Sequence, residues 1–158
     1  MSSEILFRGY RAADLEAMFR LDEACFEEPF RFDRESMREF AEMKNAIVRV
    51  AEELGGELVG FVIVHVERVG TGRLAYVVTL DVAAECRKRG LARRLMGEVE
   101  ASAAAAGVRW IQLHVFTENA GAIRFYERLG YERIRVQRRF YGEAGLDAFV
   151  YGKELPDL

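Results

Sequence analysis

Three basic residues and a glycine stand together in one short loop, a combination that can bind phosphate groups. The segment 87–92 reads Arg-Lys-Arg-Gly-Leu-Ala, and it follows an apolar, β-branched run that begins at Tyr76. The residues after the loop are typical of a helix, so free backbone N–H groups and the positive end of the helix dipole would face the loop. Gly90 would let a phosphate approach the backbone closely. The pattern predicts an anion site, although a solvated basic helix start has the same short pattern.

The composition is that of a soluble globular protein and argues against several other classes. The chain has 158 residues, of which 51% are hydrophobic and 31% charged, so we expect one domain over residues 1–158. No apolar run approaches the roughly 20 residues that span a bilayer, and the N-terminus lacks the apolar core of a signal peptide. The net charge of −3 argues against a dedicated duplex-DNA-binding protein. We therefore expect neither a nucleic-acid partner nor a membrane partner.

The two cysteines, Cys25 and Cys86, have no CxxC spacing. Their number and spacing indicate neither a disulfide framework nor a zinc site. We therefore expect two free thiols, no bound metal and a cytoplasmic location.

The first half of the chain predicts two helices followed by a strand hairpin. Pro29 ends the first helix, and Asp33 is a good N-cap for the second. Gly55 and Gly56 join two strands as a hairpin turn. The expected strands cover residues 5–10, 46–53 and 58–69, and the expected helices cover residues 13–26 and 33–44.

The second half predicts a strand that leads through a helix into another buried strand. The run that begins at Tyr76 precedes the basic loop, and the following helix ends at Gly107. Because this helix connects consecutive strands as a crossover, we expect the fourth and fifth strands to be parallel neighbours. The remaining elements are a strand at 109–115, a helix from Asn119 to Gly130, and a hairpin of strands at 131–139 and 146–154. The expected fold class is α/β, with about seven mixed, mostly antiparallel strands and four helices.

Two motifs in this order resemble those of the GNAT superfamily of acyl-CoA-dependent N-acyltransferases. The segment 87–92 is similar to its pyrophosphate loop, Arg/Gln-x-x-Gly-x-Gly/Ala. The segment 119–131 is similar to its Asn-x-x-Ala-x-x-x-Tyr-x-x-x-Gly-Phe/Tyr helix. The resemblance covers nearly the whole chain. It implies acetyl-CoA as co-substrate, no metal, and a GNAT-like sheet that splays between its fourth and fifth strands.

The resemblance also implies which residues contact the cofactor. The pantetheine arm would bind backbone groups of the fourth strand, where the N–H of Leu80 or Val82 would stabilise the oxyanion. Asn119 would contact the same arm, and the hydroxyl of Tyr126 would serve as general acid near the sulfur. The expected cofactor-binding residues are Leu80, Asp81, Val82, Arg87, Lys88, Arg89, Gly90, Leu91, Ala92, Asn119 and Tyr126.

Four short segments narrow the resemblance to the protein N-terminal (Nα) acetyltransferases, including the ribosomal-protein acetyltransferases. These segments are Pro29-Phe30-Arg31-Phe32, Leu113-His114-Val115, Arg139-Phe140-Tyr141 and Asp147-Ala148. The resemblance implies that Phe30, Phe32 and Tyr141 surround the acceptor. Three residues depart from the pattern: Phe140 replaces a tyrosine, Asp81 replaces a small residue, and Cys86 replaces an aromatic one.

His114 is the expected general base. Some members of this branch carry a histidine at this strand position, paired with a tyrosine on the fourth strand, and Tyr76 stands at the matching place. An imidazole with a pKa near 6.5 suits proton removal at neutral pH, through a water molecule. Two alternatives stay open, in which Glu118 is the base or His114 is a buried structural histidine. His65, without such a partner, is expected to be structural.

These features predict an enzyme that transfers acetyl from acetyl-CoA to an amine by direct attack. The expected acceptor is the N-terminal α-amine of a protein or peptide, with ribosomal proteins among the candidates. A small amine, such as a polyamine, an aminoglycoside or an amino acid, is the alternative acceptor. A catalytically silent acyl-CoA-binding module is a third interpretation. The expected assembly is a monomer or a homodimer.

Overall fold

A computed structural model describes residues 4–157, and its centre is one seven-stranded sheet. The strands are β1 Ile5–Gly9, β2 Ala46–Glu53, β3 Leu58–Val69, β4 Gly72–Val82, β5 Trp110–Phe116, β6 Glu132–Gln137 and β7 Ala148–Glu154. They lie in the order β1-β2-β3-β4-β5-β7-β6, and only β4 and β5 are paired in parallel within the described residues. The predicted mixed sheet and its parallel fourth and fifth strands are confirmed.

Four helices cover the two faces of the sheet. They are α1 Leu15–Cys25, α2 Arg34–Glu42, α3 Leu91–Ala105 and α4 Ala120–Arg128. The predicted caps are present: the Asp33 side chain accepts the Ser36 N–H at 2.8 Å, and Asn119 accepts the Ala122 N–H at 3.2 Å. Each cap satisfies a backbone donor that the first helical turn leaves unpaired, so these helix starts are encoded locally. None of the helices in residues 4–157 has the length and apolar character that crossing a membrane requires.

The core is divided by the sheet into two apolar clusters. Because side chains alternate along β3, Phe61 and Ile63 pack on one side with α1 and α2, while Val62 and Val64 pack on the other with α3 and α4. Leu95 of α3 is fully buried in the second cluster, and burial of one such side chain is worth about 1.5–3 kcal/mol. The helices are therefore held by both faces of one central strand.

Strand β4 differs from its sequence-based description in length and burial. It begins at Gly72 rather than near Tyr76, and it alternates between buried and half-buried residues instead of being buried on both faces. The half-buried Tyr76, Val78 and Leu80 line a groove. The apolar run thus serves partly as a ligand-facing wall, which the composition alone does not separate from core.

A β-bulge interrupts β4 at Val78. Ile63 of β3 pairs with Thr79 and Val64 pairs with Val77, so Val78 is an extra residue on the β4 side. The insertion changes the phase of the strand and places Tyr76 on the same face as Thr79 and Asp81.

Strands β4 and β5 separate just past the point where they pair. Their parallel register contains two residue pairs, Ala75 with Ile111 and Tyr76 with Gln112. The rest of β4, up to Val82, runs along the groove on that side. The expected splay is therefore present, and it opens directly after Tyr76.

The predicted ends of several elements differ by a few residues. Strand β1 ends at Gly9, helix α2 ends at Glu42, and β5 extends to Phe116. The last two strands are shorter than expected because the segment between them turns sharply, with Arg139 at a φ of 53°.

Candidate active site

A groove of about 900 Å³ lies where β4 and β5 separate, and most of the predicted site residues line it. The α1–α2 loop, α4 and the β6–β7 loop complete its walls. The predicted residues that the groove brings together are Phe30, Phe32, Tyr76, Leu80, Val82, Arg87, Ala92, His114, Asn119, Tyr126 and Tyr141. Its volume lies within the usual range for pockets that bind small molecules and cofactors.

The basic loop turns tightly into α3 beside this groove. Lys88 and Gly90 have left-handed backbone angles, φ 67° and 81°, and Gly90 is the N-cap of α3. A Cβ built at Gly90 would meet no atom of residues 4–157 within 4 Å, so the space outside the loop is open. The first turn of α3 directs its backbone N–H groups to that open side. These features fit an anion such as a pyrophosphate.

The cations of the loop differ in their partners. Arg87 lines the groove, and its Nε donates to the carbonyl of Val82 at 3.3 Å. Arg89 instead forms an ion pair with Glu53 of β2, with 3.7 Å between Nη1 and Oε1. Lys88 shapes the turn, and Leu91 is buried against the core. Arg87 is therefore the cation of this loop that is best placed to neutralise a bound phosphate.

The backbone of β4 presents Leu80 and Val82 to the splay. The N–H of Ala83 donates to the carbonyl of Val59 beside β3, at 2.8 Å. Because backbone direction alternates along a strand, Asp81 also faces β3, while Leu80 and Val82 face the groove. In agreement, the Val82 carbonyl accepts bonds from the side chains of Cys25 and Arg87 rather than from β3.

Asp81 is not placed to contact a cofactor in the groove, although the resemblance implied that it would. Its side chain is buried beneath the strand, hydrogen-bonded to Thr79, and its backbone faces β3. Leu80 and Val82 keep the geometry expected for cofactor contacts, whereas Asp81 presents neither its side chain nor its backbone to the groove.

His114 lies in a hydrogen-bonded chain that spans the groove. The hydroxyl of Tyr76 lies 2.7 Å from Nδ1 of His114, and Oε1 of Gln137 lies 2.7 Å from its Nε2. A carbonyl oxygen only accepts, so Nε2 carries the proton and donates to Gln137. Nδ1 is then the acceptor for the Tyr76 hydroxyl. The expected Tyr76–His114 pair is present, with a lone pair on the nitrogen that faces Tyr76.

The surroundings of His114 keep its ring neutral. Burial lowers the pKa of His114 below its ordinary value, and the charge of Arg135 acts in the same direction, while the hydrogen bond to Gln137 opposes both. Phe140 stacks on the imidazole, with ring centroids 3.8 Å apart and planes within 4°. The imidazole is therefore unprotonated and orientationally fixed at neutral pH, as a base should be.

Tyr126 supplies the opposite kind of group. Only 8% of this residue is exposed, yet it lines the groove from α4. Burial raises the pKa of the Tyr126 hydroxyl above its ordinary value, so the hydroxyl keeps its proton at neutral pH. Asn119 starts the same helix, and its Oδ1 is used by the cap, which leaves its amide N–H groups for a ligand. A protonated hydroxyl and a neutral imidazole thus face one groove.

The sequence model of the Acetyltransferase (GNAT) family matches residues 15–131 of this chain. The chain belongs to the GNAT acetyltransferase family. Membership makes the protein an acetyltransferase and confirms the family that the two motifs indicated.

Two relatives and one solved structure show what this chain is similar to. The chain is 32% identical to the N-alpha-acetyltransferase RimI of Mycobacterium tuberculosis, over 93% of this chain and 87% of RimI. It is 40% identical to the uncharacterized protein ML0378 of Mycobacterium leprae, over 49% of this chain, and spans 21% of that protein's length. The crystal structure of Arabidopsis thaliana NAA60 with a bisubstrate analogue has a TM-score of 0.85 at 26% identity, covering 98% of this chain and 100% of NAA60.

An aromatic wall closes one side of the GNAT groove. Phe30 packs edge-on against Tyr141, with ring centroids 4.7 Å apart, and against Phe116 at 5.1 Å. Burial raises the pKa of Tyr141 to about 12, so its hydroxyl stays neutral. Phe32 packs against Phe40 of α2 instead, with centroids 5.4 Å apart. The three predicted acceptor residues therefore belong to two neighbouring walls.

The alternative base, Glu118, has a less suitable place in this GNAT structure, and His65 lies in a structural contact. Glu118 is exposed and does not line the groove. His65 is buried, and its Nε2 lies 2.8 Å from the carbonyl oxygen of Phe40, which fits the expected structural role. Both cysteines are free, as expected, and Cys25 lines the groove.

Gln137 is the site residue that sequence reasoning missed. It lies at the end of β6 and reaches His114 across the intervening strand β7. Its position in the predicted hairpin was evident, but only the register between β6, β7 and β5 shows that it meets the imidazole.

Proposed function

We propose that this GNAT protein transfers acetyl from acetyl-CoA to the N-terminal α-amine of a protein or peptide. The observation that carries the proposal is the hydrogen bond of 2.7 Å between the Tyr76 hydroxyl and Nδ1 of His114 in the groove. Support also comes from the similarity to RimI, which is named an N-alpha-acetyltransferase, and to NAA60 with its bisubstrate analogue.

The chemistry of the acceptor agrees with a modest base. An α-amine has an ordinary pKa of about 7.7–8.0, against about 10.4 for a lysine side chain. Near neutral pH, an appreciable fraction of α-amine is already unprotonated and nucleophilic. A neutral imidazole such as that of His114 is then sufficient to accept the proton that the attacking amine must lose.

The residues that would hold acetyl-CoA lie along one path. The 87–92 loop and the first turn of α3 fit the pyrophosphate, and the backbone groups of Leu80 and Val82 fit the pantetheine arm, with one N–H stabilising the oxyanion. Asn119 adds amide donors next to this path. When bound, acetyl-CoA supplies the acetyl group as a reactive thioester.

The proton path runs from the acceptor amine to His114. The amine loses a proton to the Tyr76 oxygen, directly or through a water molecule, while the Tyr76 proton passes to Nδ1 of His114. The imidazolium then keeps its Nε2–H bond to Gln137. Tyr126 would hold a separate proton on its hydroxyl and donate it to the thiolate that leaves when the thioester bond breaks, which gives the free thiol. One proton is therefore taken up and one is released in each turnover.

A matched set of acceptors tests the proposal. We expect a peptide with a free α-amine and blocked lysines to be acetylated, and the same peptide with a blocked α-amine and free lysines to react much more slowly. N-termini of ribosomal proteins belong in this panel, and mass spectrometry locates the new acetyl group. Faster turnover of a polyamine, an aminoglycoside or a free amino acid would overturn the proposed acceptor. Acetyl-CoA binding without turnover of any amine would indicate a silent binding module.

A further inference from the structure

Two aspartates lie within hydrogen-bonding reach of each other in the interior, where α1 packs on β4. Asp22 of α1 is 0% exposed and Asp81 of β4 is 1% exposed. One oxygen of each carboxyl group has a donor: Asp22 Oδ2 accepts the Phe32 N–H at 2.7 Å, and Asp81 Oδ1 accepts the Thr79 hydroxyl at 2.5 Å. The other oxygens, Asp22 Oδ1 and Asp81 Oδ2, are buried without a hydrogen-bond donor among residues 4–157.

Two buried carboxylates with unpaired oxygens cannot both be ionised in this place. Each unpaired acceptor loses its hydration, and the two negative charges repel each other at short range. A single proton between the free oxygens removes one charge and gives both oxygens a partner. Burial, and then the hydrogen bond to Asp22, raise the pKa of the Asp81 carboxyl well above its ordinary value, which agrees with a retained proton.

The other groups around the pair do not replace that proton. Arg87 is the cation that faces Asp81 and favours its charged form, but the same guanidinium donates to the Val82 carbonyl. The thiol of Cys25 and the hydroxyl of Tyr126 also face Asp81, and burial raises the pKa of each, so both are neutral at pH 7.

We propose that Asp22 and Asp81 share one proton as a buried carboxylic acid–carboxylate bridge, which fastens the acceptor loop 26–33 to the cofactor strand β4. Each aspartate holds one side of this connection. Asp22 fixes the backbone of Phe32, which lines the groove, and Asp81 stands between Leu80 and Val82. The bridge therefore positions two walls of the site without contacting either substrate.

The bridge makes stability depend on pH in a defined direction. A carboxyl whose pKa is higher in the folded state than in the unfolded state binds its proton more tightly when folded. Its contribution is complete below the unfolded pKa, near 4, and is lost as pH rises through the folded pKa. Between these limits, the unfolding equilibrium constant should rise by up to about tenfold per pH unit from this group alone.

Asparagine variants separate a shared proton from an ordinary buried contact. In Asp81→Asn, the amide oxygen can accept from Thr79 while the amide N–H₂ donates to Asp22, so the variant carries a permanent hydrogen in place of the shared proton. Asp22→Asn can do the same in the opposite direction. In the double variant, both oxygens are already used by Thr79 and Phe32, and two donors face each other.

Denaturant unfolding from pH 5 to 8 tests the bridge. Relative to Asp81→Asn, the wild-type protein should lose stability as pH rises, because the difference between the two proteins cancels the titrating groups outside the Asp22–Asp81 pair. The double variant should lose more than the sum of the single losses. Identical pH slopes in the wild type and Asp81→Asn, or additive losses in the double variant, would overturn the proposal.

Infrared spectroscopy gives a second test that needs no foldable variant. At pH 7, the wild-type protein should show the carbonyl stretch of a protonated carboxyl group in a buried site, and its absence would also overturn the proposal. Neither test uses a substrate, so both stand apart from the proposed acetyltransferase reaction. The positioning role of the bridge does rest on the proposed acetyltransferase reaction. If the bridge positions the acceptor loop, Asp22→Ala should raise KM for the acceptor more than KM for acetyl-CoA. Equal increases in the two KM values would show that the bridge supports the fold alone.

Discussion

Two titratable pairs lie along β4 on either side of the bulge at Val78, and burial acts on them in opposite senses. The loss of hydration disfavours the charged form, so it lowers the pKa of His114 and raises that of Asp81. The same physical cause therefore leaves a base without its proton and an acid with its proton. The direction depends on the residue type, and burial alone does not distinguish a catalytic pair from a structural one.

The Tyr76–His114 pair and the Asp22–Asp81 pair differ in their access to the groove. His114 is half-buried and lines the groove together with Tyr76, so a proton can reach it during turnover. Asp22 and Asp81 are fully buried and absent from the groove lining, so their proton has no path to an acceptor amine. We therefore expect the first pair to control the rate and the second to control stability and positioning.

The largest effect should come from His114→Ala. Removal of a general base usually costs about 10²–10⁴-fold in rate, and we expect a loss of kcat/KM in that range with acetyl-CoA binding retained. Calorimetry and steady-state kinetics measure the two quantities. Glu118→Gln is the matched control, and a larger loss in that variant would move the base to Glu118.

The dependence of the wild-type kcat/KM on pH also tests whether His114 is the base. Because the pKa of His114 is lowered, kcat/KM should climb with pH through a value below 6.5, and again as the amine becomes neutral. A profile in His114→Ala that keeps the lower transition would contradict the assignment.

Tyr76→Phe should have an intermediate effect. The variant keeps the ring but removes the oxygen through which the amine proton reaches Nδ1. A water molecule can bridge part of the gap, so we expect about a 10- to 10²-fold loss, smaller than that of His114→Ala. A double variant tests whether the residues act as one unit, because the two losses should then not be additive.

Changes at Gln137 should be smaller and should shift the pH profile. Gln137→Leu removes one hydrogen bond, worth about 0.5–1.5 kcal/mol, so we expect about a two- to tenfold loss of kcat/KM. Gln137→Glu places a carboxylate beside Nε2, which favours the imidazolium and should raise the pKa of His114. The acidic limb of the profile should then move to higher pH. An unchanged limb would show that Gln137 does not act through His114.

The smallest effect on this limb should come from Asp81→Asn. If the Asp22–Asp81 pair is isolated from the reaction, the pH–rate transition of Asp81→Asn should coincide with that of the wild type. This should hold even at pH values where the stabilities of the two proteins differ. A clear displacement would show that the two pairs are coupled across the bulge.

Features set by neighbouring residues in the chain could be predicted from the sequence. Asp33 and Asn119 cap their helices through contacts three residues away, and the loop 87–92 combines its charges and Gly90 in one segment. Tyr76 and His114 could be paired because a family resemblance supplied the long-range contact.

Contacts that depend on long-range register could not be predicted. Counting by twos from Tyr76 puts Val78 and Leu80 on its face, whereas the bulge puts Asp81 there. The resulting contact with Asp22 joins positions far apart in the chain, and nothing local marks it. The contact between Gln137 and His114 has the same origin, since it depends on how β6, β7 and β5 are aligned.

The pairing between β4 and β5 is short, and it forms a seam in the sheet, meaning a line along which two groups of strands are joined by few residue pairs. Four strands, β1 to β4, form one plate, and β5, β7 and β6 form another, while two residue pairs join them directly. Tyr76 belongs to the first plate, and His114 belongs to the second. Their hydrogen bond therefore crosses the seam, and any hinge motion that widens the groove also stretches the contact through which the proton would pass. One motion would therefore change both the width of the groove and the length of the Tyr76–His114 hydrogen bond, so that binding and proton transfer respond together.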